Sequence, residues 1–159
     1  FIEIFYKMRD ERSFQGPSKE ERLNSIKGNL HLLPNISDVL RGKTIIAVDD
    51  SIVRGNVAER IHQLLYEEAK VKKVYLASYT PPLGIIGGDG VDRGCFFGVD
   101  MPPNDNFIAK NRTIEQIQEK LKMPVVYLSY TGMLDVFNSL GLNPETLCTY
   151  CIGGKHPFE

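Results

Sequence analysis

The sequence predicts an α/β fold, a parallel β-sheet flanked by helices, and three observations carry that expectation. Apolar runs at residues 44–48, 71–78 and 124–128 have the composition of strands. Helical patterns fall between and around them, at about residues 37–41, 56–70, 113–122 and 131–140. Strands that alternate with helices are joined by crossovers, and crossovers make the sheet parallel. With 159 residues, 42% hydrophobic and 25% charged, the chain can bury one ordinary core, so a single domain is expected. No internal repeat or low-complexity segment competes with that reading.

Taken in order, the start Phe1-Ile2-Glu3-Ile4-Phe5-Tyr6 is apolar at once and has no initiator Met, which reads as a chain entered midway. Through Lys7 it lacks the cationic-then-apolar order of a secretory leader. Residues 9–29 are charged, punctuated by Gly16 and Pro17, and poor in apolar periodicity, so a mobile loop is expected there.

The densest chemistry lies in residues 44–56, Thr44-Ile45-Ile46-Ala47-Val48-Asp49-Asp50-Ser51-Ile52-Val53-Arg54-Gly55-Asn56. The apolar run suits a strand covered on both faces, and ligands of open α/β sheets sit beyond the carboxyl ends of the strands, where Asp49 and Asp50 fall. The next helix is marked by Val57, Ile61, Leu64 and Leu65 at helical spacing, with Glu59, Arg60, Gln63 and Glu67 outside that stripe. Its first turn leaves backbone N–H groups without intrahelical partners at the positive end of the macrodipole, so Ser51, Ile52, Val53, Arg54, Gly55 and Asn56 form a cradle for a phosphate. Gly55 lets backbone and ligand approach closely. Two adjacent carboxylates repel a bare phosphate and are better employed on sugar hydroxyls or hydrated magnesium. Arg54 suits either the phosphate or a salt bridge outside the loop.

The net charge of −1 gives no basic surplus for nucleic acid, and no apolar run approaches membrane-spanning length, so a cytoplasmic protein with neither partner is expected. Three cysteines occur, Cys95 alone and Cys148 with Cys151 as Cys-x-x-Cys; an odd number argues against a disulfide framework. Spacing alone leaves metal binding, redox activity and chance all open for the pair. His31 and His62 have no partner pattern, and a histidine near the end, such as His156, is ordinarily a plain exposed side chain.

Residues 44–56 resemble the phosphoribosyl pyrophosphate (PRPP) motif of type I phosphoribosyltransferases, in the Val-Asp-Asp-Ser-Ile-Val-Arg-Gly form of the amidophosphoribosyltransferase family. The resemblance runs nearly end to end. Arg12, Ser13, Phe14, Pro17, Arg22 and Lys27 hold places of that family's flexible active-site loop, and residues 78–82 and 96–102 match its Pro-Pro and Tyr-Gly-Ile-Asp-Met-Pro elements. Cys95, and Cys148 with Cys151 ahead of Gly154-Lys155-His156-Pro157, match the ligand positions of its iron–sulfur members. Asn56 and Val57 depart from the family's two threonines, Gln15-Gly16-Pro17-Ser18 from its lid wording, and residues 83–94 form a longer, glycine-richer insertion.

The resemblance implies a type I phosphoribosyltransferase-like domain over residues 1–159, with a lid at 9–29, the PRPP motif at 44–56 and a cysteine-bearing tail at 142–159. The family's earlier strand-and-loop region and its glutaminase domain have no counterpart here, so the domain is expected to be incomplete. It further implies a glycosyltransferase that joins ammonia, drawn from glutamine by the glutaminase domain, to PRPP in the first step of purine synthesis; this chain alone is not expected to use glutamine. Asp49, Asp50, Arg12 and Lys27 become the catalytic candidates, and residues 49–56 the substrate contacts. Magnesium is implied at Asp49 and Asp50. Cys95, Cys148 and Cys151 become three ligands of a [4Fe–4S] cluster whose fourth lies outside the chain, although His156 could substitute. A homo-oligomer is expected. A non-catalytic PRPP-binding regulator stays open, favoured by Asn56 and Val57. A signalling receiver domain is disfavoured because the strand at 74–78 ends in Tyr79-Thr80-Pro81 without an acid, and a base-salvage enzyme because such enzymes lack the paired cysteines.

Overall fold

The computed structural model describes residues 2–8, 18–85, 90–95, 97, 101–102, 106–156 and 158. Its centre is a parallel three-stranded sheet in the order β3 (Thr44–Asp49), β4 (Lys73–Ser78), β5 (Val125–Tyr127). Register aligns Asp49 with Ser78 and Ser78 with Tyr127, so the three carboxyl ends form one edge. The α/β expectation holds.

Two helices cover the sheet. Ala58 and Ile61 of α3 (Asn56–His62) and Ile117 and Leu121 of α4 (Ile114–Leu121) share a core with Ala47, Val74, Leu76 and Val125 of the strands. On the opposite face Ile46 is 69% exposed, Val48 42% and Val126 56%. The expectation that the 44–48 run is covered on both faces is therefore corrected: both crossover helices pack on one side, and no described element covers the other.

The helix expected over 56–70 is α only as far as His62. From Gln63 to Glu68 it widens into a π turn, with Ala69 N–H donating to the Leu64 carbonyl at 2.9 Å. Adjacent Leu64 and Leu65 are both fully buried, which the wider turn accommodates. Short α2 (Ile36–Leu40) and α5 (Tyr130–Ser139) each lie within a residue of the expected segments.

Two elements were not anticipated. Within the 9–29 stretch expected to be a loop, residues 9–17 lie outside the described ones, while Lys19–Asn29 form helix α1. Ser18 caps it: Glu21 N–H donates to Ser18 Oγ at 3.1 Å, and Ser18 N–H donates to Glu21 Oε2 at 3.0 Å. That reciprocal box satisfies first-turn donors, and burial of Ile26 ties the helix down beside α3. The second is an antiparallel pair, β1 (Phe5–Lys7) with β2 (Leu30–Leu32), which brings Phe5 and Lys7 to the sheet's carboxyl edge. A smaller apolar cluster of Leu83, Met133 and Ile152 fastens the tail to α5. No helix among the described residues is long and apolar enough to cross a membrane.

Candidate active site

A cavity of about 500 Å³ opens at the carboxyl edge of the sheet. Its floor is one unbroken segment, residues 48–58, so the whole proposed substrate loop lines it: Asp49, Asp50, Ser51, Ile52, Val53, Arg54, Gly55 and Asn56. Phe5, Lys7, Asn29 and Leu30 form a wall supplied by β1 and the α1–β2 junction, and Met101 comes from the Met-Pro element. Sequence reasoning passed over that wall. Its residues reach the cavity only through the β1–β2 pairing, which has no local signature.

The carboxylates are packed against each other. Asp50 N–H donates to Asp49 Oδ1 at 3.1 Å, and Ser51 Oγ donates to Asp50 Oδ2 at 3.4 Å. Burial, then the adjoining Asp50 carboxyl, push the Asp49 pKa up to about 6, while the Asp50 backbone N–H and the Lys7 ammonium pull it down. Lys7 is thus the cation the fold sets near Asp49, a role its position in a short exposed strand does not announce. At neutral pH Asp49 is largely ionised, so two acids and one cation meet whatever enters.

Beyond them the chain turns into α3 with Gly55 at φ +86°, a left-handed conformation that non-glycine residues adopt only at a cost. A Cβ at Gly55 would stand 2.7 Å from Ile108 Cδ1 and 3.1 Å from Leu121 Cδ2. Internal packing and backbone shape therefore already require glycine here. Ile108 N–H also donates to the Val53 carbonyl at 2.8 Å, so the 106–112 segment buttresses the loop from behind. Gly55 has no side chain with which to cap α3, and Asn56, only 7% exposed, sits in its first turn. The first-turn N–H groups stay available to a ligand.

Of the lid residues, Arg12 lies outside the described ones, and Lys27 is exposed in the last turn of α1, away from the cavity lining. Ile26 and Asn29 of that helix line the cavity instead.

The cysteines come from two places and are all free: Cys95, and in the tail exposed Cys148 with Cys151 of the 3₁₀ turn Tyr150–Ile152. Burial, then the charges of Cys95 and Cys148, push the Cys151 thiol pKa up, which places the three thiols in one neighbourhood. Among the described residues no three His, Cys, Asp or Glu are close enough to hold a single metal ion. His156 is half-buried rather than exposed, its ring 5.3 Å from Tyr150, 5.5 Å from Phe158 and 6.3 Å from Phe97. His62 is also half-buried, packed 4.7 Å from Tyr66, and burial lowers its pKa. Within the glycine-rich insertion, a side chain at Gly84 would collide with Phe107, and Gly84 N–H donates to the Cys151 carbonyl at 2.9 Å; residues 86–89 lie outside the described ones.

Comparison with known proteins bears out the resemblance. The chain is 35% identical over 148 residues to an amidophosphoribosyltransferase of Synechocystis sp., which takes in 92% of this chain and 27% of that relative. It is 34% identical over 149 residues to one of Methanocaldococcus jannaschii, across 93% of this chain and 28% of the relative. It is 32% identical over 149 residues to the chloroplastic amidophosphoribosyltransferase 1 of Arabidopsis thaliana, across 93% of this chain and 24% of the relative. The chain thus spans about a quarter of the length of these curated relatives. No family model matches it.

Proposed function

We propose that this chain is the PRPP-binding part of an amidophosphoribosyltransferase, which joins ammonia to PRPP at C1 and releases pyrophosphate. One observation carries the reading: a single segment, residues 48–58, lines a cavity and brings to it two carboxyl groups and, further along, the start of a helix whose cap residue is glycine. A phosphorylated sugar has that polarity. Its 5-phosphate accepts from the amides of Ser51 to Asn56, and its ribose hydroxyls donate to Asp49 and Asp50. The identity to named amidophosphoribosyltransferases across 92% of the chain supports the choice of family.

The residues present then divide the reaction between them. As the C1–O bond to pyrophosphate breaks, positive charge grows at C1, and the Asp49 and Asp50 carboxylates favour it. Ammonia supplies its lone pair to C1, and the extra proton leaves with solvent. Asp49 and Asp50 would hold magnesium, which when bound supplies positive charge to the departing pyrophosphate. Arg12 would add charge to the departing pyrophosphate, whereas Lys27, held in α1 outside the cavity lining, would act on it only at a distance. Holding phosphate and ribose at opposite ends fixes C1, and such positioning is the larger part of the acceleration.

Cys95, Cys148 and Cys151 would hold three corners of a [4Fe–4S] cluster that fastens the tail, with the fourth ligand, the glutaminase domain and further subunits supplied by a longer cytoplasmic protein. A PRPP-binding regulator without turnover is the second reading, and Asn56 favours it. Where the resemblance implies two threonine hydroxyls, Val57 has no donor and Asn56 offers a buried amide in place of a hydroxyl.

The test is pyrophosphate release from PRPP and magnesium by the full-length protein. Release that depends on ammonia supports the transferase. Saturable PRPP binding without release assigns the regulator, and no binding overturns both.

A further inference from the structure

Four polar residues are buried among the described ones, and they divide into two pairs. Ser78 donates from Oγ to the Thr80 carbonyl at 3.0 Å, and Thr149 Oγ1 meets the Tyr130 hydroxyl at 3.0 Å. Both have partners, and neither lines the cavity at the carboxyl edge. Asn29, 6% exposed, and Asn56, 7% exposed, both line it, and the carboxamide of neither makes a hydrogen bond to any described residue. A buried polar group without a partner costs free energy, so one is kept chiefly where water or a ligand completes it.

Nothing local calls for asparagine at position 29. The asparagines in left-handed conformation are Asn35 and Asn111, and Asn29 is not among them. It caps nothing, because Ser18 caps the start of α1 and the helix closes with Leu30 N–H donating to the Ile26 carbonyl. Its own carbonyl accepts from Met8 N–H at 3.0 Å, a bond that any residue would make. An apolar side chain would match its neighbours in the cavity wall, Phe5, Ile26 and Leu30. An amide stands there instead.

We propose that Asn29 is a ligand-binding residue whose carboxamide donates to the hydroxyl oxygens of a sugar phosphate. The need for a donor follows from what the acids lack. Ionised Asp49 and Asp50 only accept, so a sugar hydroxyl that donates to either keeps an oxygen in want of a donor of its own. The Asn29 amide supplies N–H groups without adding charge beside the carboxylates. Asn56 lies in the turn read above as the phosphate seat, so its amide falls to the anionic end of the same ligand. The inference rests on the ribose phosphate reading and adds to it a residue that reads the sugar rather than the phosphate.

Asn29→Ala tests it, since it removes the amide without adding bulk to the cavity. Ribose 5-phosphate is titrated calorimetrically into the full-length protein with magnesium at pH 8, and inorganic phosphate is measured by competition against it. The variant should bind ribose 5-phosphate about tenfold more weakly than the parent, the effect of one hydrogen bond, and inorganic phosphate as before. Without ligand, the urea midpoint should hold or rise, because the amide contributes no bond to the fold. The proposal is overturned if the variant keeps the parent's affinity for ribose 5-phosphate, if it weakens both ligands equally, or if its midpoint falls. Should Asn29→Ala fail to fold, Asn29→Leu, which keeps a branched shape and removes both polar atoms, decides by the same comparisons. A parent that binds no ribose 5-phosphate strikes the ribose phosphate reading and this one together, whereas equal binding by parent and variant strikes Asn29 alone.

Discussion

Helices α3 and α4 pack on the same face of the same sheet, yet they begin in opposite ways. At α4, Thr113 Oγ1 accepts from Gln116 N–H at 3.3 Å and Thr113 N–H donates to Gln116 Oε1 at 2.9 Å, so its start is sealed by its own side chains. At α3 the cap is Gly55, which has no side chain to offer the first turn, and a cavity of about 500 Å³ lies in front. The difference separates two uses of one backbone feature. A sealed helix start contributes to stability. An open one facing two carboxyl groups forgoes that contribution and keeps its donors for a ligand.

Substitutions at the two starts should therefore fail differently. The largest effect is expected at Gly55. Gly55→Val adds a left-handed backbone penalty of about 1–2 kcal/mol and a clash with Ile108 and Leu121, for a loss near 3 kcal/mol in urea unfolding. A loss under about 1 kcal/mol would mean that the loop relaxes freely and the buttress is loose.

Next comes Asp49, where stability and function should part company. Its folded pKa of about 6 lies above the ordinary 3.8, so the folded chain holds this proton more tightly than the unfolded chain does. The group's contribution is intact below about 3.8 and is lost as pH rises through about 6. Asp49→Asn should accordingly stabilise the chain at pH 8 by on the order of 2 kcal/mol while weakening ribose phosphate binding with magnesium. In the parent that binding should strengthen as pH rises through 6. Unfolding and binding titrations at pH 5 and pH 8 would expose a violation of either sign.

Thr113→Ala should cost about 1 kcal/mol and leave ligand affinity unchanged, which sharpens the contrast with Gly55. The smallest effect belongs to the uncovered sheet face. Ile46→Thr should alter stability by no more than about 0.5 kcal/mol, because its side chain is 69% exposed. A large loss in unfolding experiments would mean that the face is covered in solution.

Legibility in the sequence followed contiguity. Residues 44–56 could be read as strand, acids and phosphate loop because one uninterrupted segment supplies them, and the structure keeps them together along one cavity. The α4 and α5 patterns were readable because apolar spacing was clear. Helix α1 was missed because its main sign is the Ser18–Glu21 box, two residues without an apolar stripe behind them. Lys7 and Asn29 went unseen as cavity residues because pairing of β1 with β2 carries them there from distant positions. The open sheet face was misread for another reason: strand composition records how apolar a run is, and says nothing of which side its crossovers take.

The central claim is that the turn between β3 and α3 is an anion seat, and its backbone amides can report on it directly. In an amide ¹H–¹⁵N titration with ribose 5-phosphate and magnesium at pH 8, the amides of Ser51 to Asn56 should shift most and saturate together. If those amides stay in place while the chain remains folded, or if the saturating shifts lie elsewhere, the turn is not the seat and the assignment falls with it.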